Sequence, residues 1–316
     1  MGERKSRVVI AGVGNVGATT AYSIINQGLC EEIVLIDVNR EKALAEAMDM
    51  EHSTYFMNRN IKVREGGYED CREADIVVIT ASAPMPKSSN NRLEMLAPSM
   101  GIIRSIVTEV MKSGFSGIFV VVSNPVDIMT YYCWKISSLP KERVIGSGTT
   151  LDTARLCISL SKLYELDAKS VQAYVIGEHG DSELVSWDSA NIGGKNISDV
   201  MRDNAERTAG KTKEELLRET VQAGWDIFQR KGNTCYGIAA STTAIIKSIL
   251  FDENRIYPVS VMLDGAYGLK NVFLSAPTIL NRQGAKEVVE IHLNPEELAA
   301  YRRSAKLLSD FYEELC

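Results

Sequence analysis

The sequence predicts an α/β protein in which a parallel sheet with helices on both faces is followed by a mixed α+β region. Short, apolar, β-branched runs recur through the first half of the chain, at 7–12, 33–38, 75–80, 118–125 and 143–148. Longer segments with helical periodicity separate most of these runs, and the weaker run 60–66 is expected to add a strand. Near-continuous apolar strands that alternate with helices are typical of a parallel sheet buried on both faces.

The pattern changes after about residue 150, where strand-like runs at 171–177, 256–263 and 271–280 lie among long amphipathic helices. This change predicts a second, mixed domain, and we place the two domains at residues 1–147 and 148–316. The chain closes with a predicted helix, for which Asn294 is a suitable cap and Pro295 a suitable first residue.

Composition excludes several classes of protein. The 316 residues are 45% hydrophobic and 24% charged, which is typical of a globular chain and not of a disordered or fibrous one. The formal net charge of -6, without any block of Lys or Arg, argues against nucleic acid and a membrane as partners. We therefore expect a small-molecule ligand.

The cysteines and histidines do not predict a metal site. Six cysteines are scattered without a Cys-x-x-Cys pair, and three histidines show no zinc-ligand spacing. The N-terminal segment passes from a charged stub into a strand-like run, without an apolar stretch long enough for a signal peptide or membrane span. We expect reduced thiols, no bound metal and a cytoplasmic location.

A glycine-rich segment directly follows the first predicted strand. Gly12, Gly14 and Gly17 have the G-x-G-x-x-G spacing. The first glycine permits a tight turn, the second lets the backbone approach a pyrophosphate, and the third lets a helix pack closely on the strand. Asp37 ends the second strand, where a carboxylate accepts hydrogen bonds from a ribose and repels a 2′-phosphate. The segment predicts a Rossmann-type domain that binds NAD; the alternative is a tight turn without a ligand.

A competing signal lies at Tyr131 and Lys135, which have the Y-x-x-x-K spacing of short-chain dehydrogenases. Those enzymes usually carry a different glycine spacing, and the helical run that contains both residues directly follows a strand. We interpret the pair as packing.

Three histidines, His52, His179 and His292, are the candidates for an imidazole acid or base. His179 lies where a predicted strand ends, a suitable place for a side chain that reaches into a cleft, although its acidic neighbours would also fit a solvated turn. Asp152 and Arg155, three residues apart, would share one face of a helix. An Asp can orient an imidazole and an Arg can bind a carboxylate, while the alternative is a weak surface ion pair.

Four motifs, GVGNVGATTA, SNPVD, GTTLDTAR and IGEHGDSE, together resemble the L-lactate/malate dehydrogenase family, with most similarity to its bacterial L-lactate branch. The resemblance covers essentially the whole chain. It implies that His179 is the proton donor to a 2-oxo acid, that Asp152 orients His179, and that Arg155 anchors the substrate carboxylate. It also implies that Arg92 polarises the carbonyl when its loop closes, and that Asn124 contacts substrate and cofactor.

Further positions match the family less specifically. Thr234 matches a position on the substrate side that leaves a methyl-sized pocket. The resemblance implies cofactor contacts at Val16, Lys42, Tyr68, Thr80, Ala81, Ser123 and Ser147, besides the three glycines and Asp37.

The loop that carries Arg92 departs from the family pattern. Met85 stands where Gln favours lactate and Arg favours malate, and one extra residue follows before Arg92. Malate is disfavoured because nothing obvious pairs with a second carboxylate, whereas a flexible methionine would tolerate larger apolar side chains. Ser82, Ser88 and Ser89 also replace family glycines.

The resemblance implies an NAD-dependent L-lactate dehydrogenase that interconverts pyruvate and lactate, as in the fermentation step that follows glycolysis. One alternative is an L-2-hydroxyacid dehydrogenase for larger acids such as 2-oxoisocaproate. Malate dehydrogenase and a non-catalytic dinucleotide-binding protein are the least favoured readings. The family also implies a homo-oligomer, either a dimer or a tetramer.

Regulation is a second departure. Many bacterial relatives bind fructose bisphosphate through an Arg and a His, and Cys157 and Gln172 stand at the matching positions. Because the charge partners of the phosphates are missing, we expect no activation by fructose bisphosphate.

Overall fold

The computed structural model describes residues 5–83, 96–208 and 210–314. Its chain forms two compact units. The first comprises Met1–Ser147, Cys235–Arg255 and Ile279–Lys286, and the second Gly148–Thr234, Ile256–Thr278 and Glu287–Cys316. The contiguous division at residues 147 and 148 stays a prediction. Met85 and Arg92 lie outside the described residues.

The first unit contains a parallel sheet of six strands. In chain order these are β1 (Arg7–Ala11), β2 (Glu32–Ile36), β3 (Lys62–Glu65), β4 (Ile76–Ile79), β5 (Ile118–Val121) and β6 (Val144–Gly146). Their spatial order is β3-β2-β1-β4-β5-β6, and the direction of chain travel across the sheet reverses beside β1. This is the doubly wound order of dinucleotide-binding sheets, so the predicted Rossmann-type fold is confirmed.

The described residues of this unit form five α-helices: α1 (Asn15–Gln27), α2 (Arg40–Thr54), α3 (Leu96–Lys112), α4 (Val126–Ser137) and α9 (Tyr236–Leu250). Helix α1 buries Ile24 and Ile25 and packs against α9. It ends at Gly28, whose φ of 66° lies in the left-handed region that glycine adopts without strain. Short 3-10 helices cover Tyr68–Glu73 and Lys141–Arg143.

The second unit is mixed, as predicted. Its helices are α5 (Thr150–Tyr164), α6 (Ile197–Asp203), α7 (Ala205–Thr208), α8 (Lys213–Lys231) and α10 (Pro295–Glu314). Its short strands are β7 (Val171–Gln172), β8 (Val175–Ile176), β9 (Leu184–Val185), β10 (Asn191–Ile192) and β11 (Lys195–Asn196). Three further strands, which include residues of both units, are β12 (Arg255–Asp264), β13 (Lys270–Asn281) and β14 (Gly284–Val288).

Two predictions for this region have different outcomes. The expected strand 171–177 is two short strands, because β7 pairs with β10 in one sheet and β8 pairs with β9 in another. The start of the closing helix is confirmed: α10 begins at Pro295, and the Asn294 side chain accepts hydrogen bonds from the backbone of Glu296 and Glu297.

Within residues 5–83, 96–208 and 210–314, no helix has both the length and the hydropathy required to cross a bilayer.

A buried carboxylate joins the amino ends of three neighbouring strands. Glu32 begins β2, is 4% exposed, and lies 2.7 Å from Nε of Arg7, 2.9 Å from Nε of Arg64 and 3.2 Å from Nζ of Lys62. Burial opposes ionisation, but the hydrogen bonds from Arg64, Arg7 and Lys62 outweigh it and lower the pKa of Glu32 to about 2. Three cations on β1 and β3 are thus held by one anion on the strand between them.

Replacement of Glu32 by Gln should lower the free energy of unfolding at pH 7 by about 2 to 3 kcal/mol, because three cations would then face a neutral amide. Since the folded pKa lies below the ordinary value of 4.5, this stabilisation is complete above about pH 5 and is lost as pH falls towards 2. Urea unfolding of wild type and variant should therefore give a constant difference in stability between about pH 7 and pH 5, and converging stabilities as pH falls from about 5 towards 2. The control is Glu73→Gln, which removes a 74% exposed partner of Arg7 and should cost under about 0.5 kcal/mol. Equal losses of unfolding free energy in Glu32→Gln and Glu73→Gln would contradict the claim that burial makes the Glu32 ion pairs more stabilising than an exposed pair.

Candidate active site

The predicted cofactor residues lie at one edge of the parallel sheet. Gly12 follows β1, Asp37 follows β2, Thr80 follows β4, Ser123 lies just beyond β5 and Ser147 follows β6. All of these are carboxyl ends of strands in the first unit, where open α/β sheets bind their ligands. The fold therefore brings this part of the predicted set together.

The three glycines meet different constraints. Gly12 has a φ of 102°, and a Cβ there would lie 2.5 Å from the backbone nitrogen of Ala81. A Cβ on Gly17 would collide with the carbonyl oxygen of Gly12. The fold itself therefore requires glycine at both positions. At Gly14, in contrast, a Cβ would meet no described atom within 4 Å. The folded chain does not require a glycine there, which is the pattern expected where the space is kept for a ligand.

Asp37 has a structural role besides the predicted one. Its Oδ2 accepts a 2.7 Å hydrogen bond from the backbone of Val13, and its Oδ1 accepts a 2.9 Å bond from the backbone of Asn39. The carboxylate is thereby held against the glycine loop while it remains partly exposed. This restraint presents a fixed negative charge beside the loop, which is what discrimination against a 2′-phosphate requires.

Hydroxyl groups hold the neighbouring loops together. Thr80 Oγ1 donates a 2.6 Å hydrogen bond to the carbonyl of Gly12, and Ser123 Oγ donates a 2.5 Å bond to the carbonyl of Ala81. Ser147 is buried, and its backbone donates to Val121. These three predicted cofactor residues therefore also connect the loops after β1, β4, β5 and β6.

The remaining cofactor-side candidates are less constrained. Val16 is half-buried in the first turn of α1, and Lys42 is exposed in the first turn of α2. Tyr68 opens the 3-10 helix beyond β3, and burial raises the pKa of its hydroxyl. Asn124 is half-buried directly after Ser123. The structure puts all four near the carboxyl ends of strands or the first turns of helices that follow them.

The second unit joins the predicted catalytic side chains. Asp152, in the first turn of α5, lies with Oδ2 2.7 Å from Nδ1 of His179 and with Oδ1 2.6 Å from Nη1 of Arg155. The Asp152 side chain is only 2% exposed, so the alternative of a weak surface ion pair is excluded. One buried carboxylate thus contacts both the imidazole and the guanidinium.

The ionisation state of Asp152 follows from these contacts. Burial opposes its charge, but the charges and hydrogen bonds of His179 and Arg155 outweigh burial and lower the pKa of its carboxyl. An ionised carboxylate only accepts hydrogen bonds, so the proton must lie on Nδ1 of His179. In the neutral ring the lone pair is therefore on Nε2, which fixes the tautomer.

The segment that carries His179 is fastened from several sides. The backbone of Gly177 exchanges hydrogen bonds with Ser275 of β13, and the backbone of Glu178 donates a 2.8 Å bond to Oγ of Ser304 in α10. Thr149 Oγ1 donates a 2.6 Å bond to the carbonyl of Val175, so that β8 is tied to the start of α5. The anchoring roles of these hydroxyls were not predicted: Ser275 and Ser304 lie outside the quoted motifs, and Thr149, although part of GTTLDTAR, has a partner in Val175 that is distant in sequence.

Two more residues in this unit were not anticipated. Gly224 of α8 faces Arg155, and a Cβ there would lie 3.4 Å from Nη2 of the guanidinium. Glu183, which would fit a solvated turn by sequence, is instead 6% exposed, and its Oε2 lies 3.9 Å from Nδ1 of His179. Asp152, His179 and Glu183 lie close enough together to be considered as metal ligands. We interpret them as an acid/base group instead, because the Asp152 carboxylate is already engaged by the imidazole of His179 and the guanidinium of Arg155.

Other candidates stay apart from this cluster. His52 is exposed on α2, and His292 is 78% exposed with Nε2 3.8 Å from Asp188. Thr234 is half-buried between α8 and α9, without a described contact to the cluster. Met85 and Arg92 lie outside the described residues.

The positions of Tyr131 and Lys135 agree with their interpretation as packing residues. Tyr131 is 8% exposed within α4, and Nζ of Lys135 lies 5.9 Å from the centroid of its ring. This is a cation–π contact, and the ring also packs at 6.0 Å from Trp134.

A nucleotide-binding sheet in one unit, and an imidazole oriented by a buried carboxylate in the other, define an enzyme of the dinucleotide-dependent oxidoreductase class. Comparison with known families agrees. Residues 6–146 match the lactate/malate dehydrogenase NAD-binding domain, and residues 149–315 match the lactate/malate dehydrogenase α/β C-terminal domain. The chain belongs to the lactate/malate dehydrogenase family, and the predicted cofactor, NAD, is confirmed.

Similar proteins and structures come from several bacteria. The chain is 45% identical over 309 residues to L-lactate dehydrogenase 3 of Bacillus thuringiensis subsp. konkukian, with 98% of each chain covered. It is 45% identical over 311 residues to L-lactate dehydrogenase 1 of Bifidobacterium longum subsp. longum, again with 98% of each covered. The ligand-bound crystal structure of the minor L-lactate dehydrogenase from Enterococcus mundtii superposes with a TM-score of 0.94 at 40% identity, covering 99% of both chains.

The difference between Gly12 and Gly14 is testable. Gly14→Val should leave the free energy of unfolding within about 1 kcal/mol of wild type, since the new side chain enters open space, but should weaken NADH binding at least about tenfold. Gly12→Val should instead destabilise the protein by about 2 kcal/mol or more, because of its left-handed φ and the contact with Ala81. Urea unfolding and fluorescence titration with NADH measure the two quantities. Unchanged NADH affinity in Gly14→Val would show that the space is not a cofactor site.

Proposed function

We propose that the protein is an NAD-dependent L-lactate dehydrogenase that reversibly transfers hydride between NADH and pyruvate, with His179 as acid and base. The observation that carries this proposal is the buried carboxylate of Asp152, which contacts both His179 and Arg155. A proton donor and a carboxylate-binding cation at a fixed separation are what reduction of a 2-oxo acid requires.

Each residue has a defined task in this reaction. The Arg155 guanidinium binds the substrate carboxylate through donors that its bond to Asp152 leaves available, since a guanidinium carries five. The Nε2 proton of His179 moves to the carbonyl oxygen during reduction and returns during oxidation. Asp152 holds Nδ1 and stabilises the imidazolium, and Arg92 polarises the carbonyl. Bound NADH supplies the hydride.

For the cofactor, we assign the backbone around Gly12, Gly14 and Gly17 to the pyrophosphate and Asp37 to the adenosine ribose. The open space at Gly14 and the restrained carboxylate of Asp37 support these assignments. The other cofactor-side positions are proposed with them: Val16, Lys42, Tyr68, Thr80, Ala81, Ser123, Asn124 and Ser147.

Met85 and Thr234 are proposed on the substrate side, together with Asn124. The unusual Met85 favours a second candidate, an L-2-hydroxyacid dehydrogenase for larger apolar acids such as 2-oxoisocaproate. Malate remains disfavoured, because no second cation is assigned to bind its additional carboxylate.

We also propose a cytoplasmic homo-oligomer, as a dimer or tetramer. Cys30, Cys71, Cys133 and Cys157 are thiols rather than disulfides, as is usual in a reducing compartment. Helix α2 exposes Leu44 and Met48, and the adjacent aromatic side chains of Tyr55 and Phe56 are each 86% exposed. Such apolar surface is typical of an interface, and sedimentation velocity would give the subunit number.

Substrate preference tests the proposed activity. Steady-state NADH oxidation with pyruvate, 2-oxobutyrate, 2-oxoisocaproate, phenylpyruvate and oxaloacetate should give the highest kcat/KM with pyruvate and the lowest with oxaloacetate. A lead of tenfold or more for a branched or aromatic acid would instead establish the second candidate.

His179→Asn tests the proton donor. Turnover should fall by about 1000-fold or more, because the amide cannot donate a proton with an appropriate pKa. NADH affinity, measured by fluorescence, should change less than about twofold. Activity within about tenfold of wild type would exclude His179 as the acid.

Effector titration tests the predicted lack of regulation. Burial raises the pKa of the Cys157 thiol to about 11, so the side chain is neutral at pH 7, and Gln172 carries no charge. Saturating fructose bisphosphate should therefore change KM for pyruvate by less than about twofold. A larger activation would show that other residues bind the effector.

A further inference from the structure

We propose that Ser304, on α10, is a positioning residue that closes a ring of hydrogen bonds around the turn carrying His179. The ring is formed by Glu178, Ser182 and Ser304, and we call it the Ser304 ring. This inference rests on the proposed function, in which the imidazole delivers a proton to substrate. Ser304 is 0% exposed, and it contacts the chain on both sides of His179, at residue 178 before it and at residue 182 after it.

Three hydrogen bonds make up the Ser304 ring. The backbone nitrogen of Glu178 donates to Oγ of Ser304 at 2.8 Å, the two serine Oγ atoms lie 2.8 Å apart, and Oγ of Ser182 donates to Oε2 of Glu178 at 2.5 Å. A hydroxyl has only one proton, and Ser182 uses its own on the carboxylate. The proton between the two hydroxyls therefore belongs to Ser304, which donates to Ser182 and accepts from the backbone of Glu178.

Two glycines of the turn leave space for the Ser304 ring. Gly177 has a φ of 98°, and a Cβ there would lie 3.1 Å from Oγ of Ser304. A Cβ on Gly180 would lie 3.0 Å from Oε1 of Glu178. A side chain at either position would press against a member of the ring, so glycine at both positions leaves the ring undisturbed.

The position of the turn matters for proton delivery. Asp152 holds the imidazole of His179 at Nδ1, whereas the backbone of the turn is held by the Ser304 ring and by the hydrogen bonds between Gly177 and Ser275. A displacement of about 1 Å from the productive geometry can lower a rate by about 100-fold. Loss of the ring should therefore slow proton delivery from Nε2 without affecting Arg155, the proposed carboxylate anchor.

The principal experiment is Ser304→Ala, which removes both hydrogen bonds of the hydroxyl at little change in volume. We expect the rate of NADH oxidation by pyruvate in a single turnover to fall by at least about threefold, because the proton donor is less well placed. KM for pyruvate and the affinity for NADH should stay within about twofold of wild type. A smaller loss of rate, or a loss that appears only in KM, would overturn the inference.

Ser182→Ala opens the ring from the other side and leaves α10 intact, so that it carries the test if Ser304→Ala does not fold. It should also slow the single turnover by at least about threefold. Because the hydrogen bonds form one ring, the variant with both substitutions should be slower than the slower single variant by less than about twofold. A greater additional loss would show that the two hydroxyls act independently and would contradict the inference.

Two substitutions on α10 control for a general loosening of the helix. Ser309→Ala removes a hydroxyl that bonds within the helix, to the carbonyl of Ala305. Tyr312→Phe removes a buried hydrogen bond from α10 to the carbonyl of Phe273 in β13. Both should keep the single-turnover rate within about twofold of wild type. If Tyr312→Phe slows the reaction as much as Ser304→Ala does, the effect comes from docking of the helix and the inference is wrong.

An NMR readout does not depend on turnover. The proton on Nδ1 of His179, which faces Asp152, can be assigned with single substitutions of His52 and His292. In Ser304→Ala its exchange with water should be at least about threefold faster, because a loosened turn releases the imidazole from the carboxylate more often.

A smaller change in the exchange rate would contradict the inference. Failure of the proposed function is distinguishable, since His179→Asn would then remain active, whereas the exchange rate would still report on the Ser304 ring.

Discussion

The candidate catalytic centre depends on one interaction, the buried carboxylate of Asp152 shared between His179 and Arg155. A carboxylate with 2% side-chain exposure is costly to ionise, and the Arg155 cation and the hydrogen bond with His179 compensate for that cost. The same contacts hold the proposed proton donor, His179, and the proposed carboxylate anchor, Arg155, on one carboxylate, and they fix the tautomer of the imidazole. Asp152 lies in the first turn of α5. The hydrogen bond from Thr149 to Val175 and the backbone hydrogen bonds of Gly177 hold the segment that carries His179 beside the start of this helix.

The nucleotide site follows from a separate constraint, the packing of the glycine loop against the loop after β4. Gly12 and Gly17 are glycines because the chain itself occupies the space that a Cβ would need. At Gly14 no described atom occupies the space that a Cβ would need, so this space is open to a ligand. Asp37 has a structural role and a proposed binding role. Its carboxylate holds the glycine loop through Val13, and the same carboxylate is proposed to select NAD.

Most of the fold and the core of the site were predictable, because their determinants are local. Apolar runs predicted the strands of the parallel sheet. Glycine spacing predicted the loop around Gly12, and the family motifs pointed to Asp152 and His179, which the structure places in contact. The break between β7 and β8 was not predictable, since it depends on pairing with two different partners distant in sequence. Burial of Glu183 was missed for a related reason: an acidic residue after Gly180 and Asp181 reads as solvated until tertiary packing covers it.

The most direct test of the central interaction is Asp152→Asn, which keeps the shape of the side chain and removes its charge. The amide can present a donor to Nδ1, which would favour the wrong tautomer, and Arg155 would lose its ionic partner. We predict that kcat/KM for pyruvate falls by about 100-fold or more while NADH affinity stays within about twofold of wild type. A loss of less than about threefold in kcat/KM, with the protein folded, would contradict the account.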